Sequence, residues 1–336
     1  MNPKKFTIGV DLGGTNLRIA SYADGVDFLE TIALPTRLQA GREAVAQDMA
    51  DAIQQLRAKF SRNLSLAGVG IGTPGPLELP IGRLRKLPNF PGWDGFNLRE
   101  AVESRIAMKV SLEVDANLAA LAESKFGQGK TLGLDSMFML TLGTGVGNGI
   151  ILDGKVFHGM SGMAGEGGHS TVWPNGPRCG CGNHGCVEVF ASATAVHRMA
   201  RELIATGKAP GLAALEKAKP SFAARDVAGL ASNGDPDARK VFENVGEALG
   251  ITLAAMINTL NLPLYVVGGG MTDAWHLFSP RLFAELERRS YVYCLNNGKV
   301  DEFGYQARMT HVVPAQLGAE AGLLGACLLP LTETSS

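Results

Sequence analysis

The chain of 336 residues is 46% hydrophobic and 19% charged, enough apolar material for two lobes with separate cores rather than one. Its 31 basic and 32 acidic residues leave a formal net charge of -1 with no basic block, which argues against nucleic acid and anionic membrane surfaces as partners. The N-terminal MNPKKFTIGVDLGG has neither the long apolar core nor the cleavage site of a signal peptide, and no run reaches the length of a bilayer span, so a globular cytoplasmic protein is expected.

In chain order, Phe6 to Val10 and Leu17 to Ala20 are apolar runs around DLGGTN and read as strand, glycine turn, strand. From Glu43 to Phe60, apolar Val45, Met49, Ile53, Leu56 and Phe60 fall three or four residues apart, the seam of an amphipathic helix that packs and does no chemistry. Asp115 opens a second helix, DANLAALAESKF, where the positive end of the dipole favours an ionised carboxylate. The polar, glycine-rich stretch between Glu123 and Gly133 marks a lobe boundary. Met137 to Leu142 and Ile150 to Leu152 then flank GTGVGNG, repeating the first hairpin at the opening of the second lobe. A long helix is expected from about Ala238 to Leu260, with Phe242, Val245, Leu249, Leu253, Met256 and Leu260 inward, ending before Pro263 and the strand-like LYVVGGG. Gly318 to Leu329 reads as a closely packed last helix. Strands mixed with helices predict an α/β architecture. The expected division is a smaller lobe of residues 1–125, joined by the C-terminal helix at about 318–336, and a larger lobe of residues 126–317.

The 43 glycines gather at particular turns, which points to loops where backbone must approach a ligand. A phosphate is held where backbone N–H groups converge with no side chain in the way, and a neighbouring hydroxyl or carboxylate can manage the accompanying metal ion. DLGGTN supplies each part: Gly13 and Gly14 close the turn, Thr15 adds a hydroxyl, and Asp11 can hold Mg2+ through water. Gly143, Thr144 and Gly145 repeat the arrangement without the acid, and Gly268, Gly269 and Gly270 follow an apolar strand. Either hairpin alone reads equally well as an ordinary tight turn; the set of three favours a nucleotide. No GxxxxGK[ST] occurs, and each turn leads into a strand instead of a helix, so this is no Walker A loop. The GxGxxG matches at Gly70 to Gly75 and Gly180 to Gly185 are coincidences, the first interrupted by proline and the second inside a cysteine cluster.

That cluster is RCGCGNHGCVE. Cys179, Cys181 and Cys186 are too crowded to staple distant parts of a fold, and in a reducing compartment a metal explains them better. Zinc needs a fourth thiolate or imidazole; His169 in AGEGGH lies just upstream and His184 inside the loop. A closed tetrahedron leaves no position for water, which makes the site structural. Cys294 and Cys327 stand in apolar neighbourhoods and read as small core residues.

Taken together these motifs resemble the ROK family, whose members share a two-lobed, duplicated actin-like (ribonuclease H-like) sugar kinase fold. The resemblance covers nearly the whole chain. It rests on DxGGT at Asp11 to Thr15, DAN at Asp115 to Asn117, ExGH at Glu166 to His169 and CxCGxxGCxE at Cys179 to Glu188, the last being highly specific. It implies that His169 joins Cys179, Cys181 and Cys186 on zinc, and that Glu166, Glu188 and His169 face sugar hydroxyls. Asp115 would accept the hydroxyl proton as the oxygen attacks the γ-phosphoryl of ATP. TPG at Thr73 to Gly75 and LPNxxGW at Leu87 to Trp93 match segments that line the family's sugar site, which adds Gly75 and Asn89 as substrate contacts. Many members carry Asn before the catalytic Asp, where this chain has Val114; a buried sugar hydroxyl left unpaired there would cost about 1–3 kcal/mol.

The activity so implied is phosphorylation of the 6-hydroxyl of glucose by ATP, with fructose, mannose or an N-acetylated hexosamine as other acceptors and an idle sugar-binding protein as the other class. Repressors of the family place a helix-turn-helix ahead of the phosphate loop, and the ten residues before Asp11 leave no room for one. A homo-oligomer, dimer or tetramer, is expected from the same resemblance.

Overall fold

Each of the two glycine turns joins a pair of strands, and each pair lies in its own sheet. The computed structural model describes residues 4–23, 27–87, 90–300 and 302–333. It divides into two compact units, the first made of Met1–Lys130, Gly149–Gly165 and Ala319–Ser336, the second of Thr131–Asn148 and Glu166–Gly318.

The chain begins with β1 (Lys5–Leu12), β2 (Asn16–Tyr22) and β3 (Phe28–Pro35), then α1 (Arg42–Phe60) and β4 (Ser65–Thr73). The short β5 (Leu77–Glu78) and β6 (Arg83–Leu84) precede α2 (Leu98–Ile106), β7 (Ser111–Val114) and α3 (Asp115–Phe126). After α4 (Gln128–Leu132) come β8 (Met137–Leu142), β9 (Val146–Leu152) and β10 (Lys155–Val156). A helical stretch follows: α5 (Glu188–Ala191), α6 (Ala193–Ala205), α7 (Pro210–Ala218), α8 (Ala224–Ser232) and α9 (Pro236–Leu260). The chain closes with β11 (Leu264–Gly268), α10 (Trp275–Arg289), α11 (Tyr291–Leu295), β12 (His311–Pro314) and α12 (Ala321–Glu333).

The first sheet runs β3-β2-β1-β4-β7. β1, β2 and β3 are antiparallel neighbours, whereas β4 lies parallel to both β1 and β7. β1 is buried on both faces, as its near-continuous apolar run requires. Ile8, Val10 and Leu12 join Val45, Met49, Ile53 and Leu56 of α1 in one core, each fully buried side chain contributing about 1.5–3 kcal/mol. On the other face α12 comes close enough that Gly70 of β4 accommodates the Ala326 carbonyl, and Gly325 of α12 accommodates the Leu118 carbonyl of α3. Any side chain at either glycine would overlap that backbone, which is why the tail is rich in Gly and Ala.

The second sheet runs β10-β9-β8-β11-β12, with β8, β11 and β12 parallel. Asp235 caps α9 by accepting from the Ala238 N–H, Pro236 fills its first turn, and Asn261 ends it at a φ of 47°. Phe242, Val245, Leu249 and Leu253 are buried as the periodicity predicts, but Met256 and Leu260 are only half-buried because the buried stripe continues through Ala254 and Ile257 instead.

Two expectations need correction. Residues 149–165, read as part of the second lobe, group with the first unit: Gly149 lies directly against Ala116 and Ala120 of α3, and His158 bonds Glu113 of β7. Cys327 is fully buried as expected, yet Cys294 is exposed on the short α11, its thiol donating to the Glu287 carbonyl.

Candidate active site

The DLGGTN turn joins β1 to β2. The Gly13 N–H donates to the Asn16 carbonyl over 2.9 Å, and the end of β3 braces the turn, with Thr36 Oγ1 donating to the Gly13 carbonyl over 2.7 Å and its N–H to the Thr15 carbonyl over 2.8 Å. Asp11 and Arg18 are cross-strand partners, and the register puts Arg18 Nη2 2.6 Å and Nε 3.2 Å from Asp11 Oδ2. Arg18 also donates to the Ala319 carbonyl, tying the hairpin to the segment before α12.

The second turn joins β8 to β9, its Gly143 N–H donating to the Gly145 carbonyl over 3.0 Å. Thr194 Oγ1 holds the Thr144 carbonyl at 2.8 Å. Gly269, at a φ of +89°, lies against the backbone of Leu142, so Gly268 to Gly270 and Gly143 to Gly145 meet at one end of the second sheet. Three glycines of these turns have no reason inside the chain to be glycine. A side chain at Gly143 or Gly270 would meet nothing within 4 Å among the described residues, one at Gly14 would make only an ordinary 3.8 Å contact with the Phe90 ring, and none of the three has a positive φ. Open space over bare backbone is what a polyphosphate needs.

Asp115 stands at the first residue of α3, directly after β7, with Oδ1 accepting from the Ala116 N–H at 2.7 Å. Gly75 follows β4 and is half-buried. Asn89 lies outside the described residues; after it in the chain, the buried rings of Phe90, Trp93 and Phe96 meet edge to face.

The cysteine loop is a small knuckle. The Val187 N–H donates to the Ser170 carbonyl and Thr171 bridges Cys186, which brings His169 beside the end of the loop; the Cys179 N–H donates to the Asn183 carbonyl, which folds the loop back on itself. The ligand atoms of His169, Cys179, Cys181 and Cys186 all lie within 4.8 Å of one another. His169 Nδ1 is 3.5 Å from Cys179 Sγ, and the Cys181 and Cys186 sulfurs are 3.8 Å apart. A tetrahedral zinc with bonds of about 2.3 Å to sulfur and 2.0–2.1 Å to nitrogen sets those edges at about 3.5 and 3.8 Å, so the four residues fit zinc. His184 is exposed, outside this set. Burial pushes the Cys179 thiol up to about 12, and zinc binding would take its proton outright.

Glu188 opens α5 immediately after the knuckle. Its Oε2 accepts from the Val146 N–H at 3.1 Å, its Oε1 receives a 3.7 Å contact from the Cys179 thiol, and it closes over Gly145, where any side chain would strike it. Glu166 Oε2 is 3.9 Å from His169 Nε2. Burial raises the Glu166 carboxyl above its ordinary value, with His169 opposing and Glu188 reinforcing that rise. The knuckle thus gathers two carboxylates and an imidazole, a suitable set of acceptors and donors for a polyol.

The ROK family pattern matches residues 7–333. The chain belongs to the ROK family. A glucokinase of Halalkalibacterium halodurans is 34% identical over 323 residues, covering 96% of this chain and 93% of that protein. The crystal structure of a ROK hexokinase from Thermus thermophilus superposes with a TM-score of 0.78 at 33% identity, covering 98% of this chain and 99% of that one. A ROK family glucokinase from Streptomyces griseus, crystallised with glucose and AMPPNP, gives a TM-score of 0.75 at 32% identity over 96% of this chain and 98% of that one. The fold is accordingly the two-sheet α/β, actin-like (ribonuclease H-like) fold of ROK sugar kinases.

Four polar residues of this ROK chain that the sequence reading did not place belong to the same neighbourhoods. Asn148, buried in β9, accepts from the Gly167 N–H at 2.5 Å and so anchors the segment that carries Glu166 and His169. Glu113, Asn117 and His158 form a hydrogen-bonded group behind Asp115. The one signal available is an acid or amide inside a short strand, Glu113 in SLEV and Asn148 in VGNGIIL.

Proposed function

We propose that this ROK chain is an ATP-dependent hexose kinase that phosphorylates the 6-hydroxyl of glucose. The observation that carries the reading is the near-complete match to ROK glucokinases, one of them crystallised with glucose and AMPPNP, in a chain that keeps Asp115 at a strand-to-helix corner and Glu188 beside a four-ligand knuckle.

Asp115 takes the proton of O6 as that oxygen bonds to the γ-phosphorus of ATP; the bond from that phosphorus to the bridging oxygen breaks and ADP leaves with the electron pair. In the loose transition state of phosphoryl transfer the base chiefly orients the hydroxyl, so its placement matters more than its strength. Glu166, His169 and Glu188 bind hydroxyls of the same hexose, with Gly75 and Asn89 as further contacts. The bare backbone of Gly13, Gly14 and Thr15, of Gly143, Thr144 and Gly145, and of Gly268 to Gly270 binds the nucleotide. Mg2+ accompanying ATP would neutralise phosphate charge, and Asp11 would hold it through water, since Arg18 already occupies Oδ2. Zinc on His169, Cys179, Cys181 and Cys186 would fix the knuckle and take no part in the transfer. A cytoplasmic, reducing setting, which keeps those thiols available, and a homo-oligomer of two or four chains belong to the same reading. No helix among the described residues is long and apolar enough to cross a membrane.

ADP release measured with glucose, fructose, mannose and N-acetylglucosamine tests the proposal. Glucose should be the best acceptor. A faster rate with another sugar would move the acceptor, and no hexose-dependent release would overturn the kinase reading.

A further inference from the structure

We infer that Glu113 is a positioning residue for Asp115, with His158 as its partner; the inference rests on the kinase reading and deepens it. Glu113 is the penultimate residue of β7, and its side chain is 1% exposed. Three donors converge on it. Oε1 accepts from the Val114 N–H at 2.7 Å and from Asn117 Nδ2 at 2.9 Å, and Oε2 accepts from His158 Nε2 at 2.5 Å.

The first two bonds bracket the aspartate. Val114 precedes Asp115 and Asn117 follows it by two, so one carboxylate grips the strand-to-helix corner on both sides of the base. Asn117 is fully buried and its Oδ1 has no hydrogen-bond partner among the described residues, which leaves the bond to Glu113 to orient the amide. The third bond reaches 45 residues along the chain. His158 begins a loop in which the Ala164 N–H donates to the His158 carbonyl over 3.1 Å and the Leu79 N–H donates to the Ser161 carbonyl over 3.1 Å, and this loop leads directly into Glu166. Glu113 therefore fixes both the aspartate corner and the start of the loop that runs on to Glu166.

Burying a carboxylate is costly unless its oxygens are satisfied, and a strand end needs no charge: Leu112, one residue earlier, is buried without any. What a carboxylate adds is three directional bonds at one point. Where the base works by orientation, a displacement of about 1 Å can cost about 100-fold in rate.

The test compares Glu113→Gln, His158→Ala, His158→Gln and the double variant Glu113→Gln/His158→Ala with the wild type, by steady-state kinetics, glucose titration and thermal unfolding. Glu113→Gln is expected to lower kcat about 100-fold while the KM for glucose stays within about twofold, because it misplaces the base while the Glu166 segment keeps its own anchor, the bond from the Gly167 N–H to Asn148. His158→Ala, at a side chain 44% exposed and so compatible with folding, should lower kcat about tenfold, and His158→Gln, which keeps a donor, should recover most of it. The double variant should be no slower than Glu113→Gln alone, as expected of residues acting as one unit. Wild-type kcat in Glu113→Gln, or a fall in His158→Ala that is explained by a lower unfolding temperature and not recovered in His158→Gln, would overturn the inference. A wild-type enzyme without hexose-dependent ADP release would instead sink the kinase reading beneath it.

Discussion

The two glycine hairpins come by a neighbouring acid in different ways. In the first, the acid is local: Asp11 sits on the hairpin itself and is held across the strands by Arg18, which the sheet register places opposite it. In the second, the turn has no acid, and Glu188 is delivered from a different part of the chain to accept the Val146 N–H beside Gly145. The first hairpin has a full core behind it and is braced by Thr36 and Arg18. The segment that delivers Glu188 has few apolar residues of its own, and its shape depends on the four ligands that converge on one point. A structural metal is found where the chain cannot bury enough surface to hold a functional side chain in place.

The largest effect should come from removing the second hairpin's support. Cys181→Ala is expected to lose bound zinc and about 100-fold in glucose affinity together, while leaving the first hairpin intact; a variant that still carries one zinc per chain by metal analysis would contradict it. Gly145→Ala keeps the ligands but drives a methyl group into the Glu188 carboxylate, and should raise the glucose KM about tenfold with zinc retained. Its neighbour gives the contrast. Gly143→Ala fills open space, so unfolding temperature and glucose KM should not change while the KM for ATP rises about fivefold; an unchanged ATP KM would mean that the space does not face the nucleotide. The smallest effect is expected at the first hairpin. Arg18→Met should cost no more than about 1 kcal/mol in stability, as for other partly exposed ion pairs, and show itself as a raised Mg2+ requirement in activity titrations.

How much of this could be read from the sequence depends on separation along the chain. The hairpins, the seam of α1, the body of α9 and the close-packed tail follow from periodicity and from Gly and Ala placement. Cys179, Cys181 and Cys186 announce a metal by spacing alone. The fourth ligand did not follow from spacing, because His169 and His184 are both near, and only the pairing of Ser170 with Val187 brings His169 to the sulfurs and leaves His184 exposed. Glu113 reads as an acid in a short strand that also holds Ser111, and nothing local points to His158. The grouping of residues 149–165 with the first unit depends on how Gly149 packs on α3, and the exposure of Cys294 on a helix too short to have a buried face; neither leaves a pattern in composition.

The central claim is that Asp115 is the base of a hexose kinase, and Asp115→Asn tests it most directly. The substitution keeps size and removes the ability to take a proton. Glucose binding, followed by calorimetry, should match that of the wild type, while glucose-dependent ADP release should fall to background. Turnover at the wild-type rate in that variant would contradict the claim.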